Sequence, residues 1–168
     1  MFLVASINVM YPCPETLNKD WVPVKVAVSN VLSVLGKISV ITVCFNSENT
    51  IERTIESVLA QKYKNFEYII VDGGSSDGTI NIINRYKDFL KAIVSEKDEG
   101  IYDAINKGIK IAEGDIISII HSDDAFFNIN VFDNVVSNFQ NNLNLDFLIG
   151  TTIINKYNSK KIHRKYNP

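Results

Sequence analysis

The sequence predicts an α/β fold, built on a doubly wound, mostly parallel sheet with helices on its faces. From Lys37 onward, short apolar runs rich in β-branched residues alternate with amphipathic segments, and this alternation is typical of βαβ units. The runs are continuously apolar, which favours strands buried on both faces of a parallel sheet. Ligands of such sheets bind beyond the carboxyl ends of the strands. The residues that follow each run are therefore the candidates for function.

Five apolar runs are predicted as strands and four segments as helices. The strands are residues 38–45, 66–72, 91–96, 115–121 and 145–154. The helices are residues 49–61, a segment that begins with INIINRY at residue 80, residues 101–112, and a segment marked by Val131, Val135, Val136 and Phe139. Residues 101–112 show the clearest helical period. Asn49 and Glu52 resemble a capping box at the start of the first helix, and Gly114 is placed to end the third.

Length, charge and cysteine content limit the class of protein. The 168 residues correspond to about one domain, and a formal net charge of −2 provides no basic field for nucleic acid. Cys13 and Cys44 lie far apart and lack metal-ligand spacing, so we interpret them as reduced thiols of a cytoplasmic protein. No apolar run approaches the ~20 residues of a membrane span. Because the first residues lack a basic region, no signal peptide is expected.

The chain changes character near Gly36, which predicts three segments. Residues 1–36 show no clean alternation and contain several prolines, so we interpret them as an atypical N-terminal extension. Residues 37–155 carry the strand and helix pattern and form the predicted α/β domain. Residues 156–168 are a basic tail.

Three of the four loops that follow predicted strands are acidic. Asp72 to Asp77, Glu96 to Glu99 and His121 to Asp124 each contain carboxylates, whereas Asn46 and Ser47 follow the first strand. Carboxylates gathered at one sheet edge repel one another unless a cation or many ligand hydroxyls lie among them. Asp123 and Asp124 are the sharpest case, because aspartate oxygens suit Mg²⁺ or Mn²⁺. His121 is open to three interpretations, as a metal ligand, a sugar contact or a polar residue satisfied by its own chain.

All three acidic loops also have purely structural interpretations. IIHSDDA (119–125) could simply be a polar strand end that caps the next helix. VDGGSSDGT (71–79) has the chemistry of a tight strand-to-helix turn, and its alternative role places the Asp72 carboxylate beside a nucleobase. It is not a dinucleotide-binding fingerprint, because GxGxxG is absent. EKDEGIYDAINKG (96–108) is either a solvated loop and helix face or a contact for the ribose, sugar or diphosphate of a ligand, with Asp103 and Asn106 off the apolar face.

At this point the motifs resemble those of a known family. KISVITVCFNSENTIERTIESVLAQKYKNFEYIIVDGGSSDGT (37–79) resembles the opening of family 2 glycosyltransferases. DEGIYDAINKGIKIAEGDIISIIHSDD (98–124) resembles the next block of that family, including its DXD motif. The resemblance covers about residues 37–127 and continues more weakly to about 155, and the order of several motifs makes it specific.

The resemblance implies a GT-A (Rossmann-like) fold and transfer of a sugar, with inversion, from a nucleotide-diphosphate donor, most simply a UDP-sugar. It implies a Mn²⁺ or Mg²⁺ cofactor, a glycan or lipid-linked acceptor, and a role in surface polysaccharide synthesis. Peripheral association with the inner face of the membrane is a further expectation. By position in the motifs, the metal ligands are Asp123 and Asp124, and the donor-binding residues are Asn46, Asp72, Gly73, Asp98, Asp103, Asn106, His121 and Ser122.

Two departures from the family pattern qualify this expectation. His121 stands at the first DXD position, where the family often has Asp or Asn. Family members also continue for roughly another hundred residues with an acceptor-binding region that supplies the general base. Because the present chain ends at Pro168, no general base is assigned and a C-terminally truncated domain is expected. The alternative function is donor binding without catalysis. A nucleotidyltransferase is disfavoured, because VCFNSENT lacks the glycines of a triphosphate loop.

Overall fold

A computed structural model describes residues 3–6, 36–142, 144–150, 153–155 and 162–165. The strands are β1 (Leu3–Ser6), β2 (Ile38–Cys44), β3 (Phe66–Asp72), β4 (Ala92–Ser95), β5 (Ile116–His121), β6 (Phe147–Ile149), β7 (Ile153–Asn155) and β8 (Ile162–Lys165). The helices are α1 (Ile51–Leu59), α2 (Thr79–Arg85), α3 (Ile101–Ile111) and α4 (Val131–Asn141), with a single 3₁₀ turn at Lys87–Phe89. No helix in the described ranges has the length and apolar character needed to traverse a bilayer.

Six strands form one parallel sheet in the order β4-β3-β2-β5-β1-β6. The register aligns Cys44 with Asp72, Asp72 with Ser95, and Val43 with His121. The carboxyl ends of β2, β3, β4 and β5 therefore meet at one edge, where the sequence placed the candidate residues. β1 comes from the predicted N-terminal extension and lies between β5 and β6. β7 and β8 form a separate antiparallel pair.

Helices cover both faces of the sheet, as the doubly wound prediction requires. On one face, buried side chains of α1, α2 and α4 pack against alternate residues of the central strands, with Ile55, Ile83 and Phe132 among the most deeply buried. On the other face, Ala104 of α3 lies in a second cluster with Ile41, Val43, Ile69, Val71, Ile117 and Ile119. Burial on both faces explains the continuously apolar strand sequences. The α/β prediction is confirmed.

Several predicted boundaries were wrong, each for a local reason. The first strand ends at Cys44, and Phe45 is exposed. Residues 145–154 do not form one strand, because β6 and β7 lie in different sheets. The capping box is absent, since the N-cap of α1 is Thr50 without a side-chain bond and Glu52 instead accepts a hydrogen bond from Tyr86.

Gly108 sets how closely α3 approaches the sheet. A Cβ at this position would lie 2.5 Å from Cγ2 of Ile41 on β2, which is shorter than any ordinary contact between carbon atoms. The helix therefore rests its backbone directly on the central strand.

A buried carboxylate joins the strands at the opposite, amino edge. Glu67 on β3 is 7% exposed. It accepts hydrogen bonds from Ser39 Oγ (2.6 Å) and the Glu113 backbone N–H (2.6 Å), and it pairs with Lys37 (2.5 Å) and Lys91 (3.0 Å). These partners belong to β2, to the segment after α3, and to residues beside β2 and β4. One side chain thus ties together four segments that are distant in sequence.

The hydrogen-bonding partners of Glu67 change its pKa more than its burial does. Desolvation alone would raise the pKa of the Glu67 carboxyl, but the hydrogen bonds from Lys37, Ser39, the Glu113 N–H and Lys91 lower it from 4.5 to about 2. Because the folded-state pKa is depressed, the stability that this ionised group contributes is fully present above the unfolded-state pKa and is lost as the pH falls through the folded-state value.

We predict that Glu67→Gln makes the fold less sensitive to acid. Between neutral pH and pH 3, the free energy of unfolding of the unmodified chain should fall by about 2 kcal/mol more than that of the variant, because each pKa unit corresponds to about 1.4 kcal/mol. Urea titrations across this range measure the difference. Glu56→Gln, on the exposed side of α1, is the control and should follow the unmodified chain. Parallel curves for Glu67→Gln and the unmodified chain would contradict the assignment.

Candidate functional site

A cleft of about 890 Å³ opens at the carboxyl ends of β2 and β5, against the start of α3. Its polar lining comes from the loop after β2, the loop before α3 and the end of β5. Six of the ten predicted site residues line it, namely Asn46, Asp98, His121, Ser122, Asp123 and Asp124. The other four, Asp72, Gly73, Asp103 and Asn106, are not among its lining residues. The sheet thus brings the residues of three predicted loops together.

The acidic turn at residues 121–124 forms one wall of the cleft. The Asp124 N–H donates to the carbonyl oxygen of His121 at 3.1 Å and closes the turn. The Ser122 and Ser47 hydroxyls lie 2.8 Å apart, which joins this turn to the loop after β2. Asp123 is exposed, whereas His121 and Asp124 are half-buried. Two adjacent carboxylates are therefore presented at the edge of the cleft.

The acidic turn fits a cation that is shared with a ligand. Within residues 36–142 and 144–150, no group of three or more His, Cys, Asp and Glu side chains is arranged to hold a metal ion. Mg²⁺, however, is commonly held by one or two carboxylates together with substrate phosphates and water. Asp123 and Asp124 supply those one or two carboxylates, so the residues present suit a metal–diphosphate pair better than a permanently bound ion.

Asp72 lies beneath the site and is fully buried. Its carboxylate accepts hydrogen bonds from the Ser75 N–H (3.0 Å), the Ser75 hydroxyl and the Ser95 hydroxyl (2.7 Å). The Cys44 thiol, 3.7 Å away, also donates to it, and burial together with Asp72 raises the pKa of that thiol, which keeps it protonated. The thiol is equally distant from the carbonyl oxygen of Val71 (3.7 Å), so its one proton is shared, and the chain itself supplies three full donors to Asp72 besides it. The role of Asp72 in contacting a nucleobase stays a prediction.

Asn46 links the first two loops of the site. It has a left-handed backbone, with φ of 47°, which asparagine tolerates better than most residues. Its side-chain oxygen accepts a hydrogen bond from the Ser76 N–H at 2.9 Å, and its own N–H donates to the Ser75 hydroxyl at 2.7 Å. The loop after β2 is thereby fixed to the loop after β3.

Asp98 lies directly over Gly73. A Cβ on Gly73 would lie 2.5 Å from Oδ2 of Asp98, so the missing side chain makes room for this carboxylate. The other oxygen, Oδ1, accepts a hydrogen bond from the Gly100 N–H at 3.0 Å, just before α3 begins. Gly73 does not line the cleft, but the room that it leaves is occupied by Asp98, which does.

The remaining two predicted residues lie on α3 outside the lining of the cleft. Asp103 pairs with Lys107 at 3.1 Å and accepts a hydrogen bond from the Glu99 N–H at 3.3 Å. The hydrogen bond from Lys107 lowers the pKa of the Asp103 carboxyl. Asn106 is exposed on the helix surface. Asp103 thus joins the loop before α3 to the helix itself.

The cleft also has apolar walls that the sequence did not indicate. Phe45 is 62% exposed, Tyr102 is 64% exposed and Ile101 is 46% exposed, and all three line the cleft. The predicted strand 38–45 includes Phe45, and the predicted helix 101–112 begins with Ile101. The only feature of the sequence that could have indicated an exposed Phe45 is its position as the last apolar residue before a polar loop.

Comparisons with known proteins agree with this architecture. Residues 39–168 match the family model described as Glycosyl transferase family 2. The chain is 41% identical over 90 residues to an uncharacterized glycosyltransferase of Mycobacterium tuberculosis, covering 53% of this chain and 34% of that protein. It is 42% identical over 88 residues to the Escherichia coli UDP-Glc:alpha-D-GlcNAc-diphosphoundecaprenol beta-1,3-glucosyltransferase WfaP, covering 52% and 35%. The chain thus spans about a third of the length of these relatives.

Solved structures show the same fold. Staphylococcus aureus TarS 1–349 in complex with UDP-GlcNAc is similar with a TM-score of 0.58 and 29% identity, over 62% of this chain and 31% of that one. The Pyrobaculum calidifontis mannosyltransferase PcManGT, in complex with GDP-Man and Mn²⁺, has a TM-score of 0.57 over 65% and 34%, and at 24% identity it supports the fold alone. From its parallel sheet, its motifs and the match over residues 39–168, this chain belongs to glycosyl transferase family 2 and has the GT-A fold.

Proposed function

We propose that this chain forms the donor-binding part of a glycosyltransferase that takes a sugar, with inversion, from a UDP-sugar. The observation that carries the proposal is the position of Asp123 and Asp124 on the wall of a polar cleft at the carboxyl ends of β2 and β5. Such an edge is where ligands of parallel α/β sheets bind. The UDP-GlcNAc complex of the similar TarS structure supports a uridine nucleotide as donor.

Asp123 and Asp124 are the proposed holders of Mg²⁺ or Mn²⁺, with His121 and Ser122 beside them. When bound, the metal neutralises charge on the diphosphate and so favours departure of the nucleotide. Asp123 and Asp124 would hold the ion from the cleft wall, and phosphate oxygens and water would complete its ligands. This arrangement makes metal and nucleotide binding depend on each other.

The apolar walls suit the nucleoside, and the polar residues suit the ribose and sugar. Exposed aromatic faces such as those of Phe45 and Tyr102 offer stacking surfaces for a base. Asn46 and Asp98 present polar groups to the same cleft. Asp72, Gly73 and Asp103 then serve the donor by holding the surrounding loops, through their hydrogen bonds and, at Gly73, through the room it leaves for Asp98. Asn106 stays a proposed donor contact. The sequence analysis expected all four to bind the donor.

The proposed acceptor is a glycan or a lipid-linked sugar. We place its use in surface polysaccharide synthesis, at the cytoplasmic face of the membrane, within the same proposal. The name of the E. coli relative, which specifies a diphosphoundecaprenol acceptor, supports it. We assign no general base among the described residues, because Asp98, Asp123 and Asp124 belong to the proposed donor side. Assays of UDP release and sugar transfer from UDP-sugars would distinguish transfer from donor binding without catalysis.

We predict that Asp123→Ala abolishes the part of UDP binding that depends on Mn²⁺. Removing one of two carboxylates leaves the diphosphate charge poorly neutralised. Calorimetric titration of UDP should give a Kd at least roughly tenfold higher for the variant in Mn²⁺, equivalent to about 1.4 kcal/mol. In EDTA the two proteins should bind UDP alike.

Asp133→Ala is the matched control, since Asp133 is an exposed carboxylate in the first turn of α4. It should bind UDP in Mn²⁺ as the unmodified chain does. Equal affinity of Asp123→Ala and the unmodified chain in Mn²⁺ would refute the metal assignment.

A second variant tests the buried carboxylate. Asp72→Asn should lower the free energy of unfolding by roughly 1–3 kcal/mol, because its amide group would face donors that now bond to a carboxylate. It should weaken the binding of UDP, GDP and ADP by the same factor, because the loop after β3 would move as a whole. Urea unfolding and titration of the three nucleotides provide the comparison. Selective loss of UDP at unchanged stability would instead establish Asp72 as the base contact.

A further inference from the structure

One side of α1 holds the entire loop between β5 and α4. Thr54 and Ser57 lie on this side of α1, and Gln61 follows two residues after the helix ends. With Arg53, which is next to Thr54, we call these four residues the α1 polar row. Thr54 is fully buried and Gln61 is 1% exposed. Buried polar side chains are costly unless hydrogen-bonded, and these find their partners in the loop.

The row contacts three consecutive carbonyl groups of the acidic turn. Thr54 Oγ1 lies 2.9 Å from the carbonyl oxygen of Ser122 and 2.6 Å from that of Asp124. The Arg53 guanidinium donates to the carbonyl oxygen of Asp123 between them. A hydroxyl has one proton, so the two carbonyl groups share it. The peptide segment that carries both metal-ligand candidates is therefore fixed at 122, 123 and 124.

The row continues along the rest of the loop. Ser57 Oγ accepts a hydrogen bond from the Phe126 N–H at 3.1 Å. The Gln61 side chain donates to the carbonyl oxygen of Asn128 at 2.8 Å and accepts from the Phe132 N–H at 3.2 Å. These contacts all go to backbone groups, those of the loop and, at Phe132, that of the first turn of α4. The row therefore positions the loop backbone, in addition to the contacts that loop side chains make themselves, such as the packing of buried Phe126 against Phe132.

We propose that Thr54 is a positioning residue for the metal bound by Asp123 and Asp124, an inference that rests on the proposed function. Thr54 touches the backbone on both sides of Asp123 and is absent from the lining of the cleft. It acts by setting the direction from which the carboxylates reach the ion. Partners outside the ligand shell typically change metal affinity by about 10- to 100-fold when they are removed.

The test compares Thr54→Val with Thr54→Ser and Thr42→Val in the full 168-residue chain. Valine has nearly the shape of threonine but lacks the hydroxyl, whereas serine keeps it. Thr42 is the matched control because it is also fully buried and its hydroxyl lies 2.8 Å from that of Tyr68, in the core and away from the loop. UDP is titrated calorimetrically in Mn²⁺ and again in EDTA.

Thr54→Val should raise the Kd of UDP in Mn²⁺ by about tenfold or more and leave the Kd in EDTA within twofold of the unmodified chain. Thr54→Ser and Thr42→Val should both bind UDP in Mn²⁺ with a Kd close to that of the unmodified chain. Thr42→Val should do so despite its lower thermal stability. Without metal or nucleotide, the amide NMR signals of residues 122–124 should shift in Thr54→Val and stay in place in Thr42→Val.

Two outcomes are separable. If the unmodified chain shows no Mn²⁺-dependent UDP binding, the proposed function fails, and the NMR comparison still decides whether Thr54 fixes the turn. If the unmodified chain binds Mn²⁺ and UDP together and Thr54→Val responds like Thr42→Val, the positioning role is overturned while the proposed function stands.

Discussion

The buried carboxylate of Asp72 fixes the edge of the sheet on which the cleft depends. A charge with no solvent contact is strongly unfavourable unless donors surround it, and here they come from β2, β4 and the loop after β3, through Cys44, Ser95 and Ser75. Ser75 then bonds to the backbone of Asn46, and the Asp72 carbonyl oxygen accepts from the Glu96 N–H at 3.1 Å. Two of the cleft-forming loops are thus anchored to one residue, one through its side chain and the other through its backbone.

Local sequence was sufficient to predict strands β2 to β5 and the acidic turn. A continuous β-branched run such as ISVITVC has few alternatives to a strand buried on both faces, and Asp123 directly follows another such run. The carboxyl ends of parallel strands meet at one edge, so these loops had to converge.

The remaining features arise from contacts between residues distant in sequence. The hydrogen bond between Asp72 and Ser95, which lies 23 positions away, could not be predicted, because nothing in a single sequence pairs the two. The bonds from Thr54 to the acidic turn span about 70 residues and have no periodic signature. Residues 3–6 show no strand pattern either, yet they lie between β5 and β6, where pairing partners are available. Tertiary context decides such cases.

The Glu67 cluster lies at the amino edge of the sheet, whereas the cleft lies at the carboxyl edge. Substitutions in the cleft therefore leave this anchor of the fold intact, and sites without shared partners usually behave independently. The α1 polar row adds a similar independence, since it binds the acidic turn through peptide groups. Side chains of the acidic turn, residues 121–124, can therefore change while the scaffold stays folded, so the architecture favours evolutionary divergence of specificity.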